Sequence, residues 1–323
     1  SEMCIRDRSE IQSFNILREK ENGDVYAGSS KGLYIFRKGK QIAHIPFMAN
    51  SKKGLPGSEI RDLYLPDLQT CWIATNDGLA KLTDNEISVF EHDDFNPNSL
   101  IDNNVCSISE GPNKQLWIGT FQGLCLLDTK NEHFTDMTQP GNDCLTSRLT
   151  SCITEDQQGN IWIGTTEKGI NVLSIDADTI AHYYHQPWNP NSLPDNYVAC
   201  IFCSRNGTIW AGTHQGMVRY DKKHKQFERI SQTGDFQIKG IQEDSLQQLW
   251  ITTNDGLLLS DSTGNILRRF YEYHGLPNND LSKAICRLHN GNIVIGSMYG
   301  FSLFDPEVLS RPLPSQKIML TLS

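Results

Sequence analysis

The chain has 323 residues, 38% hydrophobic and 21% charged, and no segment reaches the roughly 18 consecutive apolar residues of a membrane-spanning helix. Its 29 basic and 38 acidic side chains leave a net charge of -9 with no long basic run, so a nucleic-acid backbone would be repelled rather than gripped. Nine cysteines, an odd number spread along a chain long enough to bury its own core, read as free buried thiols rather than as a disulfide framework.

The first eight residues stand apart. The run Met3-Cys4-Ile5-Arg6-Asp7-Arg8 resembles translated sequencing adapter and matches nothing downstream, so residues 1–8 are expected to be a non-native junction. With neither an initial Met nor a charged-then-apolar leader, the chain reads as part of a longer one whose targeting information lies upstream.

From residue 9 onward one signature recurs. In chain order it appears as Val25-Tyr26-Ala27-Gly28-Ser29, Cys71-Trp72-Ile73-Ala74-Thr75, Leu116-Trp117-Ile118-Gly119-Thr120 and Ile161-Trp162-Ile163-Gly164-Thr165. It continues as Ile209-Trp210-Ala211-Gly212-Thr213, Leu249-Trp250-Ile251-Thr252-Thr253 and Ile293-Val294-Ile295-Gly296-Ser297. The central positions are 46, 45, 45, 48, 40 and 44 residues apart, the period of a propeller blade. Nine residues before each centre stands an aliphatic residue: Leu17, Leu63, Ile108, Ile153, Ile201, Ile241 and Ile285. Six residues after it stands a glycine, at 32, 78, 123, 216, 256 and 300, with Gly169 displaced by one in the fourth copy.

Each copy predicts the same local structure. Val105 to Ser109 alternates as a half-buried first strand, Gly111-Pro112-Asn113-Lys114 turns the chain, and Leu116 to Thr120 returns as an apolar second strand. Gly119 is expected to let neighbouring backbones approach, and Gly123 closes a tight hairpin into the third strand, Leu124 to Asp128. His133-Phe134-Thr135 opens the outer strand. The reading is an all-β chain, a seven-bladed β-propeller of four-stranded antiparallel blades over residues 9–306, with Trp and aliphatic columns packed blade on blade. The seventh copy ends after its third strand, so its outer strand is expected from residues before Ile11, or else from the tail Lys317 to Leu322.

The Leu-Trp-Ile-Gly-Thr unit, its turn glycine, a Leu-Asp ending, and linkers such as Asn98-Ser99-Leu100 and Gly275-Leu276-Pro277-Asn278-Asn279 resemble the two-component-regulator propeller repeat. The resemblance implies the periplasmic sensor region of a hybrid two-component histidine kinase anchored in the inner membrane. There two successive propellers precede an immunoglobulin-like domain, a membrane span and the kinase. The last copy, from Leu281-Ser282-Lys283-Ala284-Ile285 to Phe304-Asp305-Pro306, resembles the blade before that domain. This chain would be the second propeller, and residues 307–323 the linker and truncated start of the immunoglobulin-like domain. The partners so implied are the preceding propeller, the following domain, an oligosaccharide signal and, for the full-length protein, a second copy in a homodimer; this chain itself would touch neither membrane nor nucleic acid.

The chemistry-bearing motifs favour no catalyst. Cys200-Ile201-Phe202-Cys203 has metal-ligand spacing, but residues three apart in a strand face opposite ways, and His182-Tyr183-Tyr184-His185 shares that objection. No metal or other cofactor is expected, and no nucleophile elbow or phosphate loop is present. Glycoside cleavage would need two carboxyls about 5–10 Å apart, with Asp77, Glu167 and Asp255 as candidates, but Asn-Asp-Gly is itself a strong turn sequence. The hairpins between second and third strands should share one face of the ring, and their tips, Asn76, Asp77, Gln122, Lys168, His214, Asn254, Asp255 and Tyr299, are the candidate ligand contacts. Trp188, in Pro187-Trp188-Asn189-Pro190-Asn191-Ser192-Leu193, joins them either as a sugar-stacking ring or as a lid over its blade edge. Three functions therefore compete: a non-catalytic oligosaccharide sensor, a protein-interaction scaffold without a small ligand, and a polysaccharide-active enzyme.

Overall fold

A computed structural model describes residues 13–48, 54–84, 86–138, 144–174, 179–234, 236–276 and 278–311. The expected junction at 1–8 and the tail at 317–322 lie outside the described residues. Seven antiparallel sheets form, six of four strands and one of three, and in each the strands neighbour in sequence order. This is the seven-bladed propeller that the repeats predict. Blade 7 has the strands Leu281–Arg287, Ile293–Ser297 and Gly300–Phe304 among the described residues.

First strands form the inner wall of the ring, each packing on the first strands of both neighbours, blade 7 against blade 1 included. The repeat columns set the register. Each aliphatic column residue pairs with the residue after the signature's centre, as in Leu63 with Ile73 and Ile201 with Ala211. Each first strand also carries a bulge or irregularity near the end that faces the second-to-third hairpin, which sharpens twist where the chain enters the blade.

The two columns interlock between blades. Trp72 packs with Leu100, Val105 and Ile108 of blade 3, Trp117 with Ile153 of blade 4, Trp162 with Val198 and Ile201 of blade 5, and Trp250 with Leu281 and Ile285 of blade 7. Burying one indole in this way removes roughly 200 Å² of apolar surface, at most roughly 5 kcal/mol each. Val294, where blade 7 lacks the indole, cannot fill the same space. There Phe14, Tyr34, Phe36 and Phe301 assemble, with the ring of Phe14 edge-on to the other three at 5.7 to 6.1 Å.

The glycine of the signature is needed, but for a different neighbour than expected. A Cβ at Gly119 would lie 2.7 Å from Thr150 Oγ1 and 3.0 Å from Ile153 Cδ1, and one at Gly212 would lie 2.5 Å from Ile238 Cγ2. Side chains rather than backbone fill the gap in these blades, from the next blade's first strand and, through Ser107 and Cys200, from the blade's own first strand. Only at the closing interface does backbone intrude, with Phe14 O 2.8 Å from a Cβ at Gly296. After blade 7, Asp305 caps a short helix, Pro306–Ser310, whose Leu309 packs on the core between blades 6 and 7 while Arg268 donates to the Leu309 and Arg311 carbonyls.

Candidate functional site

Each second strand ends on Ser or Thr, and the hydroxyls of Ser29, Thr75, Thr120, Thr165, Thr213, Thr253 and Ser297 all donate to the carbonyl of the turn glycine. The same hydroxyls accept from an N–H two or three residues on. The seven glycines have positive φ, a conformation that only glycine adopts cheaply. All seven second-to-third hairpins are thus the same clamp.

This clamp accounts for most of the predicted tip residues. Asp77, Gln122, Lys168, Asp255 and Tyr299 contribute their backbone N–H to it and leave their side chains exposed. Asn76 and Asn254 act inward instead, their side-chain oxygens accepting from Glu59 N at 2.9 Å and Gln237 N at 2.8 Å. They tie the hairpin to the segment entering the same blade. His214 stacks on Tyr197, 3.7 Å between ring centres and 13° between planes, and lines a cavity on the hairpin face.

That cavity, about 450 Å³, sits at the mouth of the central channel on the hairpin face. All seven blades contribute through one register position, two residues before the aliphatic column: Asn15, Arg61, Cys106, Ser151, Ala199, Lys239 and Lys283. Phe121, Tyr197 and His214 supply rings above them. Arg61 lies over the Phe121 ring at 4.8 Å and holds Glu59 at 3.3 Å, while its Nη1 is buried without a hydrogen-bond partner. Burial raises the pKa of Tyr197 above its ordinary value, so its hydroxyl stays protonated at neutral pH. Sequence reasoning overlooked this ring of residues, although a fixed offset from the aliphatic column would have found it.

The opposite end of the channel opens into a second cavity, about 630 Å³, lined by Tyr64, Glu110, Glu155 and Asp156 together with Arg18 and Arg205. Burial, with Glu110 and Asp156 nearby, pushes the Glu155 carboxyl above the usual range. Burial also raises Tyr64, to about 12, with Glu110 adding to it.

Connections from a fourth strand to the next first strand return on the hairpin face, and two are built alike. In 93–100 and 186–193, Asn96 and Asn189 accept from the N–H two residues on, Ser99 and Ser192 accept from Asp93 N and Gln186 N, and Leu100 and Leu193 are fully buried. These frames hold Phe95 96% exposed and Trp188 81% exposed, so Trp188 does not cover its blade edge. Tyr273, in the corresponding connection out of blade 6, is 80% exposed.

Cys200 packs toward blade 6 and Cys203 toward the core shared with blade 4, the opposed faces expected of this spacing. Cys144 departs from the expectation of buried thiols, being exposed. His182 bonds Asn171, Tyr183 joins Trp162 and Tyr220 in the core, and His185 bonds the Leu193 carbonyl, so the four residues of 182–185 diverge. Among the described residues no helix is long and apolar enough to cross a membrane.

Three segments, 99–122, 145–167 and 192–215, in blades 3, 4 and 5, match the family described as two component regulator propeller. The chain is 25% identical over 315 residues to Histidine kinase P4 of Formosa agariphila, covering 92% of this chain and 22% of that protein. It superposes at a TM-score of 0.79 and 26% identity on the extracellular domain of a hybrid two component system from B. thetaiotaomicron, covering 91% of this chain and 40% of that one. At 12% identity, virginiamycin B lyase from Staphylococcus aureus shares the fold alone, with a TM-score of 0.68 and coverage of 91% and 95%. The chain therefore spans about a fifth of the curated relative's length. A propeller of this shape serves more than one chemistry, so function has to be argued from the site.

Proposed function

We propose that this chain, a propeller of two component regulator repeats related to extracellular domains of hybrid two component systems, is a non-catalytic sensing module whose signal is an oligosaccharide bound at the channel mouth. The cavity of about 450 Å³ on the hairpin face carries this reading. It combines rings that cover apolar sugar faces with amide, hydroxyl and cationic groups that bond sugar hydroxyls. Among the described residues Glu59 is the single carboxylate lining it and is held by Arg61, which gives no paired carboxyls of the kind glycoside cleavage uses. The sequence resemblance supports a periplasmic location, with a preceding propeller and a following immunoglobulin-like domain as neighbours in the longer chain. Binding would act on a kinase only through different affinities for two arrangements of those neighbours.

Isothermal titration of the chain with a panel of neutral and acidic oligosaccharides tests this. At least one should give heat, and His214→Ala should weaken it tenfold or more without moving the melting temperature. Flat traces across the panel would overturn the reading. A second reading, a docking face for another domain, is favoured by the exposed rings of Phe95, Trp188 and Tyr273 on rigid connections. Flat saccharide traces would leave that one standing.

A further inference from the structure

The charge of the channel mouth opposes that of the whole molecule. In a chain of net charge -9, Arg61, Lys239 and Lys283 come from blades 2, 6 and 7 at one strand register and line the same cavity, where among the described residues the single carboxylate is that of Glu59. The three cations are not equally committed. Lys239 pairs with Asp280, and Arg61 shares Glu59 and the Phe121 ring. Lys283 is exposed and, among the described residues, makes no ion pair. Its charge nevertheless acts across the channel: burial raises the thiols of Cys106, Cys152 and Cys200 in blades 3, 4 and 5, and the Lys283 ammonium partly offsets that in all three. Arg61 adds a buried Nη1 with no acceptor. A guanidinium with an unused donor and an ammonium with no ion pair, lining one cavity, form the arrangement that selects an anionic group. Low-dielectric walls strengthen that selection against the repulsive field of the rest of the surface.

We infer that the channel mouth takes an acidic oligosaccharide, with the carboxylate or sulfate of one sugar bound between Lys283 and Arg61 and the neighbouring sugar face on the rings of Tyr197, His214 and Phe121. This rests on the sensor reading above and deepens it by naming the ligand class. A neutral glycan would leave the Lys283 ammonium uncompensated and the Arg61 Nη1 donor unused, whereas a purely anionic peptide would leave the aromatic wall unused.

The test uses the 323-residue chain and two matched sets of probes. The first set is tetrasaccharides of galacturonate, glucuronate and mannuronate with sulfated disaccharides; the second is their methyl-esterified or desulfated forms. One or more acidic probes should bind, its neutral form at least tenfold more weakly, and raising sodium chloride from about 50 to 500 mM should weaken binding as counter-ions screen the mouth. Lys283→Met should lose at least tenfold for the acidic probe at an unchanged melting temperature, and Lys283→Arg should recover most of it. If a neutral glycan binds as tightly and Lys283→Met leaves it untouched, the charge inference fails and the sensor reading stands. If no saccharide of either set binds, the sensor reading itself falls. If an oligoglutamate binds as tightly as any uronate, the saccharide assignment is overturned.

Discussion

Blades 4 and 6 share a device that can be removed cleanly. Asp156, buried in the turn before the second strand of blade 4, accepts from Trp162 Nε1 and Asn160 Nδ2 on one oxygen, both at 2.9 Å, and from Gln158 N and Asn160 N on the other at 2.9 and 3.0 Å. Asp244 does the same for Trp250 at 2.9 Å. In Asp156→Ala the indole N–H stays buried with no acceptor and the turn loses three charge-assisted bonds, from Gln158 N, Asn160 N and Asn160 Nδ2. An orphaned donor costs about 1–3 kcal/mol and a bond to a charged group about 1.5–3, so a net loss of about 2–4 kcal/mol is expected after the turn relaxes. For a domain of this size, with an unfolding entropy of about 0.6 kcal/mol/K, that lowers the melting temperature by about 3–6 °C, read by circular dichroism or scanning calorimetry. Asp156 and Asp244 lie in different blades, so the double variant should fall by the sum of the two losses. The pH dependence has a definite sign. Burial alone would raise the Asp156 carboxyl, but its bonds from Trp162 and Asn160 outweigh that and hold it below the ordinary value. Its contribution is therefore present above about pH 4 and is lost as pH falls through the native pKa, so the gap to wild type should close in acid. A melting temperature for Asp156→Ala within 1 °C of wild type at pH 7, or a gap that persists in acid, would refute the reasoning. Blade 3 shows the undone state naturally: Gly111 stands in the place of Asp156, and Trp117 Nε1 is buried without a partner.

Other variants probe the seam, the hairpins and the far cavity. Phe14→Ala empties the aromatic cluster that joins blades 7 and 1 and should cost about 3–5 kcal/mol in urea unfolding, whereas Phe95→Ala, exposed, should stay within about 0.5 kcal/mol. Thr213→Val removes the hydroxyl that holds Gly216 O and Gln215 N, and should cost about 1–2 kcal/mol while speeding amide exchange in that hairpin ahead of the other six. Glu155 has its native pKa raised by burial and by the charges of Glu110 and Asp156, so its ionisation costs stability as pH rises through and above the usual carboxylate range. Glu155→Gln should therefore raise the melting temperature slightly, by about 1–2 °C at pH 7, and leave it unchanged near pH 3.

The architecture was legible because its determinants repeat. An aliphatic residue nine positions before each centre, and a large or apolar residue at the centre, are buried in all seven blades, since every interface must interlock the same two columns. What sequence could not show was which polar side chains meet. The hairpin tips drew attention by their chemistry, yet Asn76 and Asn254 hold backbone, and of the nine predicted contacts only His214 lines this cavity, joined there by the ring of Phe121. The lining residues Asn15, Arg61, Ser151, Lys239 and Lys283 follow no common residue type, and they become neighbours only once the ring closes over long sequence separations. Gly119 misled in a smaller way. Its need for space was readable, but Thr150 and Ile153, the side chains that occupy the space, belong to the next blade.

The hydroxyl clamp of the seven hairpins separates structural duty from display. Ser29, Thr75 and their counterparts fix each turn using only hydroxyl, glycine carbonyl and backbone N–H, so the residue that donates its N–H is chosen without regard to its side chain. Lys31, Asp77, Gln122, Lys168, Gln215, Asp255 and Tyr299 stand at that one place, a cation, an anion, an amide or a phenol according to the blade. The face works as a board of seven standard sockets, and mutation can restock any socket while the scaffold beneath is left undisturbed.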